Sequence, residues 1–156
     1  MPNLYVNPAL NAPLGPDGLP IVVDPTFVQN DYEAFYEDVF EEMDQHGKIE
    51  CLNVCDNYSD HLVGNVYIKF SDEQSALNAM TSLQNRYYNG KAILAEFSPV
   101  ADFREATCRQ YEENLCKRGG YCNFMHLKPI SRCAPSAHAL VCAQCLQQSR
   151  TQSGWA

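Results

Sequence analysis

Apolar residues recur at spacings of three and four over residues 31–46, a pattern that predicts an amphipathic helix. Asn30 or Asp31 is suited to cap the start of this helix. The apolar stripe is formed by Tyr32, Phe35, Tyr36, Val39, Phe40 and Met43. Acidic residues fill the remaining faces, so one side of the helix is expected to pack inward and the other to carry negative charge.

Shorter apolar runs on either side of this helix predict four strands and a second helix. The second helix is expected to begin at Ser71 and to end near Leu83, and Asn89-Gly90 is typical of a hairpin turn. The strands are expected at residues 19–23, 48–54, 63–70 and 92–97. The order β-α-β-β-α-β predicts an α+β, ferredoxin-like sandwich, with two helices on one face of a four-stranded sheet.

Composition divides the 156 residues into four segments. Prolines and glycines are dense before residue 19, which predicts a flexible leader over residues 1–18. The ferredoxin-like domain is expected over residues 19–98, and a cysteine-rich finger with a lead-in helix over residues 99–130. Residues 131–156 are predicted to be a disordered tail. Three cysteines of this tail lack the strand-helix setting of a redox pair, and their role stays open: Cys133, Cys142 and Cys145.

Charge is distributed unevenly along the chain, whose formal net charge is −8. Residues 1–98 carry 4 Lys/Arg against 15 Asp/Glu, a net −11, whereas residues 99–156 carry 7 against 4, a net +3. An acidic body repels a phosphate backbone, so any contact with nucleic acid is expected from the C-terminal third. The acidic part is instead suited to a basic protein partner.

Three cysteines and a histidine have the spacing C-x7-C-x5-C-x3-H, at Cys108, Cys116, Cys122 and His126. Three thiolates and one imidazole complete a tetrahedral Zn²⁺ site with no open position, which indicates a structural rather than a catalytic metal. The alternative, buried cysteines beside a chance histidine, is disfavoured because the four ligands fall within 19 residues.

Basic and aromatic side chains surround these ligands. This mixture suits single-stranded RNA, because cations pair with phosphates and bases stack on rings. The candidate RNA contacts are Arg104, Arg109, Tyr111, Lys117, Arg118, Tyr121, Phe124 and Lys128. Tyr111 and Phe124 are also candidates for the miniature core that so small a unit needs, and the sequence leaves this alternative open.

The element order predicted for residues 19–98, which we call the central domain, is shared by RNA-recognition motifs. In those motifs, aromatic residues on the central strands stack on bases. One of these positions holds Asn65 in this chain, and Tyr67 is the aromatic residue that remains. A single ring in acidic surroundings is a poor platform for bases, so the sheet is not expected to bind RNA.

The central domain also resembles the U2AF-homology motifs, relatives of RNA-recognition motifs that bind a tryptophan-bearing peptide. The resemblance rests on the acidic first helix and on Arg86-Tyr87-Tyr88, which stands where these domains have an Arg-x-Phe loop. It implies a pocket in which Tyr88 stacks on the indole and Arg86 braces the loop. The implied peptide-binding residues are Glu37, Asp38, Glu41, Glu42, Arg86, Tyr87 and Tyr88. The alternative is a solvated acidic helix beside a tyrosine pair that simply begins a strand.

Longer stretches resemble the small subunits of the U2 snRNP auxiliary factor, namely residues 53–57, 60–67, 98–100, 102–106 and 122–130. The resemblance runs from about Tyr5 to Arg132. It implies a nuclear pre-mRNA splicing factor that forms a heterodimer with a large subunit and helps to recognise the AG of the 3′ splice site. That family has two fingers and an arginine/serine-rich tail, whereas this sequence contains one such finger and a tail unlike the family's.

Two functions are therefore weighed. In the first, the central domain binds the tryptophan peptide of the large subunit and the finger contributes to binding the 3′ splice site. In the second, the chain is a truncated interaction module that binds the large subunit without recognising RNA. An enzyme is not expected, since the zinc shell is closed and no nucleophile-base pair stands out. Structural Zn²⁺ is the expected cofactor, without a membrane or a small-molecule substrate.

Overall fold

The computed structural model describes residues 1–100 and 102–130, in which helices and strands are mixed. The tail with Cys133, Cys142 and Cys145 lies outside the described residues. The helices are α1 (Pro25–Asp44), α2 (Glu73–Ser82), α3 (Phe103–Ala106) and α4 (Arg109–Glu112), followed by a 3₁₀ turn at Gly119–Tyr121. The strands are β1 (Ile49–Val54), β2 (Val66–Phe70), β3 (Tyr87–Tyr88) and β4 (Lys91–Ala92). In this part of the chain, no helix combines the length and apolar character needed to cross a membrane.

Helix α1 starts six residues before the start that its periodicity predicts. Asp24 caps it, because the Oδ1 atom of Asp24 accepts a hydrogen bond from the Thr26 backbone N–H at 2.8 Å. Pro25 suits the first turn, where its missing N–H costs nothing. The predicted apolar stripe is confirmed, with the buried face formed by Val28, Tyr32, Glu33, Phe35, Tyr36, Val39, Phe40 and Met43.

The sheet differs from the prediction. Strands β1 and β2 pair antiparallel, with Leu52 opposite Ile68 and Val54 opposite Val66, while β3 and β4 form a separate two-stranded sheet. The expected strand at residues 19–23 is wrong, since this run forms no strand and its Val22 is 92% exposed. The expected last strand is reduced to β4, which reaches only Ala92. Within the described residues, the single four-stranded sheet is therefore not formed.

The N-terminal segment, residues 1–5, lies along the edge of β2 that faces away from β1. The terminal ammonium of Met1 donates to the Val66 carbonyl and the Val66 N–H donates to the Met1 carbonyl, both at 2.9 Å, and the Tyr5 N–H donates to the Gly64 carbonyl at 3.0 Å. The main core is the cluster in which the apolar face of α1 packs against β1, β2 and the second helix region. Leu4 and Tyr5 are buried in this core. Residues that the composition assigned to a flexible leader thus run antiparallel to β2 and complete one side of the core.

Helix α2 is capped by Asp72 rather than by Ser71. Its carboxylate accepts two hydrogen bonds from Ser75, one from the backbone N–H at 2.8 Å and one from the hydroxyl at 2.7 Å. Ala79 and Leu83 are buried in the main core. The hairpin turn at Asn89-Gly90 is confirmed, since both residues have positive φ, 46° and 76°, and connect β3 to β4.

Candidate metal centre and adjoining surfaces

The four predicted metal ligands converge in the finger, which we define as residues 103–130. The ligand atoms of Cys108, Cys116, Cys122 and His126 all lie within 4.8 Å of one another, and the Sγ atoms of Cys108 and Cys122 are 3.8 Å apart. Two sulfurs bound at about 2.3 Å to one tetrahedral zinc ion are separated by about this distance. The prediction of a closed three-cysteine, one-histidine site is confirmed by this geometry.

His126 shows that the cluster fits a metal. Its Nε2 atom is buried and has no hydrogen-bond partner among the described residues, as expected of a nitrogen reserved for an ion. Burial also lowers the pKa of His126, which favours the neutral imidazole that binds zinc. The Arg118 backbone N–H lowers the pKa of Cys116 and so favours its thiolate. These residues hold a structural zinc ion, which supplies stability rather than reactivity because all four positions are filled by protein.

Asn57, a residue that the sequence reasoning missed, ties the ligand-bearing segment to the central domain. Its side chain is buried and donates hydrogen bonds to the carbonyls of Cys122 at 3.0 Å and Phe124 at 2.9 Å. Its Oδ1 atom accepts the His126 backbone N–H at 2.8 Å. Asn57 therefore satisfies three backbone groups around two zinc ligands. The local pattern carries no sign of this role, because the partners are 65 or more residues away in the sequence.

The same loop after β1 makes further backbone contacts with the finger. The Asp56 N–H donates to the His126 carbonyl at 2.8 Å, and the Tyr58 N–H donates to the Gly120 carbonyl at 2.7 Å. Cys55 and Leu127 form an isolated antiparallel bridge. The finger is thus joined to the exit of β1 by backbone hydrogen bonds.

Two of the predicted RNA contacts, Tyr111 and Lys128, are half-buried and packed against other side chains. The Tyr111 ring stacks on His126, with centroids 3.9 Å apart and an angle of 13° between the planes. The Lys128 side chain is 10% exposed, with its ammonium 3.7 Å from Asp56 and 5.4 Å from the centre of the Tyr32 ring. For these two residues the geometry favours a packing role, Tyr111 within the finger and Lys128 where the finger meets α1 and the loop after β1.

The other predicted RNA contacts are exposed, namely Arg104, Arg109, Lys117, Arg118, Tyr121 and Phe124. Tyr121 is 74% and Phe124 46% exposed, and the Arg118 guanidinium lies 5.8 Å from the centre of the Phe124 ring. Arg104 pairs with Asp102 at 2.7 Å, which partly neutralises its charge. Tyr67, the one aromatic residue expected at a base-stacking position of the sheet, packs against Phe103 with ring centroids 5.6 Å apart.

Six of the seven predicted peptide-binding residues line one cavity of about 330 Å³, which we call the acidic pocket. These six are Asp38, Glu41, Glu42, Arg86, Tyr87 and Tyr88, whereas Glu37 is exposed on α1 and does not line the cavity. Apolar walls are supplied by Leu4, Val39, Met43, Leu83 and Ile93. The pocket therefore combines an apolar interior with a mostly acidic rim.

Contacts between α1 and the β3 region shape this pocket. The Arg86 guanidinium is hydrogen-bonded to the Glu42 carboxylate, and the Tyr88 hydroxyl donates to Asp38 Oδ2 at 3.0 Å. Burial, followed by this bond to Asp38, raises the pKa of Tyr88 to about 12. The Tyr88 ring also meets Phe35 edge to face at 5.5 Å. Tyr87 points outward and is 70% exposed, which leaves its ring accessible at the rim.

Comparison with known proteins agrees with the metal site. The family of zinc fingers of the C-x8-C-x5-C-x3-H type (and similar) matches residues 103–128. This chain has seven rather than eight residues between its first two ligands. The family thus covers the finger together with its lead-in helix α3.

Longer similarity extends over most of the chain. The splicing factor U2af 38 kDa subunit of Drosophila melanogaster is 56% identical over 133 residues, which are 83% of this chain and 50% of that protein. The splicing factor U2AF 26 kDa subunit of Bos taurus is 55% identical over 131 residues, or 83% and 59% of the two chains. The chain spans about half the length of the curated relatives it matches. Because more than half of the aligned residues are identical and the finger's metal ligands are in place, the chain belongs to the splicing factor U2AF small-subunit family.

Proposed function

We propose that this chain is a nuclear pre-mRNA splicing-factor subunit that binds a tryptophan-bearing peptide of a large subunit in the acidic pocket and contacts 3′ splice-site RNA through its finger. The acidic pocket is the observation that carries the proposal. Asp38, Glu41 and Glu42 stand at its rim opposite Arg86 and Tyr88, around an apolar interior. An indole ring fits the interior chemically, and basic residues beside it in a peptide would meet the carboxylates.

The proposal also assigns a fold to the central domain and a separate role to the finger. Residues 19–98, extended by the paired segment 1–5, would form a ferredoxin-like RNA-recognition-motif domain of the U2AF-homology type. Residues 99–130 would comprise a short lead-in and the RNA-binding finger, and the closed zinc shell supports a role without catalysis. The backbone pairing of Met1 with Val66 supports this fold, since it places a third segment of the chain beside β1 and β2.

A charge reversal in the acidic pocket tests the peptide half of the proposal. The Glu41→Lys change is expected to weaken binding of a tryptophan-containing peptide from the large subunit about tenfold, because it places a cation where basic peptide residues approach. Glu41 is exposed at the rim, so the fold should be retained. Isothermal titration calorimetry measures the dissociation constant, and the circular dichroism spectrum checks the fold.

The matched control is Asp17→Lys, which changes the net charge equally at an exposed residue outside the pocket lining. Its affinity for the peptide should stay within about twofold of the unsubstituted chain, as expected of a screened distant charge. If the unsubstituted chain does not bind the peptide, or if both variants weaken it equally, the pocket is not the peptide site.

A further inference from the structure

Tyr58 and Tyr121 form an exposed aromatic pair that joins the central domain to the finger. Tyr58 lies in the loop after β1 and is 44% exposed, whereas Tyr121 ends the 3₁₀ turn of the finger and is 74% exposed. Their ring centroids are 6.2 Å apart and their planes meet at 86°. Two fixed rings at a right angle offer a planar face beside a wall, a shape that suits a flat aromatic ligand.

The backbone holds Tyr58 against the finger. Its N–H donates to the Gly120 carbonyl at 2.7 Å, and a Cβ atom at Gly120 would lie only 2.3 Å from the Tyr58 ring. Glycine is therefore required at position 120 for the ring to rest there. A ring that is already positioned loses little conformational entropy when a ligand stacks on it.

The charge on the finger side of this pair favours an anionic ligand. Residues 114–130 contain three basic residues, Lys117, Arg118 and Lys128, and no Asp or Glu. Lys117 and Arg118 are exposed, and Arg118 leans over Phe124, a further exposed ring. Aromatic faces beside exposed cations are the combination that binds single-stranded nucleic acids, since each base stacks while its phosphate pairs. Residues 1–98, by contrast, carry a net charge of −11.

We propose that Tyr58 and Tyr121 form a binding subsite for one nucleobase of single-stranded RNA, so that a residue of the central domain takes part in RNA binding. This inference rests on the proposed RNA contact of the finger and adds Tyr58 to it. The sequence reasoning missed Tyr58 because its neighbours in the chain are acidic, Asp56 and Asp60, and only the fold brings it to the finger.

The test measures binding of a fluorescein-labelled oligoribonucleotide, a uridine run ending in AG, to the zinc-loaded full chain by fluorescence anisotropy. Tyr58→Leu and Tyr121→Leu keep an apolar side chain but remove the aromatic face, and each should weaken binding about fivefold or more. Tyr58→Phe should retain binding, since stacking needs the ring and not the hydroxyl. Phe27→Leu, which removes a 57% exposed ring on α1, is the matched control and should change nothing.

The double variant Tyr58→Leu/Tyr121→Leu should lose less than the product of the single effects, because both rings would contact the same base. Zinc content is measured in every variant, so that loss of the finger fold is separated from loss of stacking. If Tyr121→Leu weakens binding and a zinc-loaded Tyr58→Leu does not, this inference is overturned while the proposed RNA contact of the finger stands. If the unsubstituted chain does not bind the RNA, both are overturned.

Discussion

Removing zinc is expected to unfold the finger while α1 and α2 keep their helical structure. The helices α3 and α4 have four residues each, far below the length at which helices are stable alone. Zinc binding in comparable finger peptides contributes about 10–16 kcal/mol of apparent free energy at neutral pH, more than any other single contact in the finger. Chelation should therefore release Asn57 and the loop after β1 from their hydrogen bonds with the finger.

Titration with Co²⁺ after chelation measures metal binding by the finger, because Co²⁺ in tetrahedral thiolate coordination produces visible absorption bands. The Cys122→Ser variant should bind the metal much more weakly. Cys55→Ala is the matched control, since Cys55 is also buried beside the finger but is not a ligand, and burial raises its thiol pKa to about 12. It should still bind one metal ion per chain. Hydrogen exchange of the backbone amides measures the unfolding. If the amides of the finger stay protected from exchange after complete chelation, the assigned role of zinc is contradicted.

The Gly64→Ala change is expected to destabilise the central domain by at least about 3 kcal/mol, roughly the value of burying Leu4 and Tyr5. Gly64 has φ +63°, and a Cβ atom there would lie 2.0 Å from the Tyr5 carbonyl oxygen. Because that atom belongs to the backbone, relief requires the N-terminal segment to leave the edge of β2. Urea denaturation followed by circular dichroism measures the loss in the free energy of unfolding.

Gly90→Ala separates backbone strain from this clash. Gly90 has a similar φ of +76°, but a Cβ atom there would meet nothing within 4 Å. Its substitution should cost only about 1 kcal/mol, the penalty of the left-handed conformation alone. Equal losses for the two alanine variants would mean that residues 1–5 do not contribute to the stability of the core.

The sequence predicts best the features that depend on local spacing. The stripe of α1 follows the helical period from Tyr32 to Met43. The dipeptide Asn89-Gly90 strongly favours a two-residue hairpin turn, which it forms here. The four ligands follow from their spacing alone, because the metal imposes the geometry. In each case the residues that interact are near one another in the chain.

The features that the sequence did not predict depend on distant contacts. The run at residues 19–23 looks like a strand, yet its backbone pairs locally with residues 13–15 rather than with the sheet, whereas the proline-rich start of the chain pairs with β2 more than sixty residues away. Asn57 and Tyr58 acquire their neighbours only when the finger docks beside β1. Tyr111 and Lys128 have the residue types of RNA contacts, but packing against His126 and Tyr32 leaves them half-buried.

The acidic pocket shows an intermediate case. A helical pattern identifies which acidic residues share a face of α1, but it does not show which of them meet the segment at residues 86–88. The structure brings Asp38, Glu41 and Glu42 to that segment and leaves Glu37 outside the cavity. Which acidic residues line the cavity depends on the position of the segment that follows α2. The periodicity of α1 carries no information about that position.

Photo-crosslinking in the presence of the tryptophan peptide most directly tests the proposed division of roles, in which the acidic pocket binds the peptide and the finger binds RNA. The zinc-loaded chain would be crosslinked to a uridine-rich RNA ending in AG, and the crosslinked residues identified by mass spectrometry. We expect crosslinks in the finger, at Tyr121 or Phe124, that persist when the peptide occupies the pocket. Crosslinks confined to the acidic pocket and displaced by the peptide, or no crosslinks in either condition, would contradict this division.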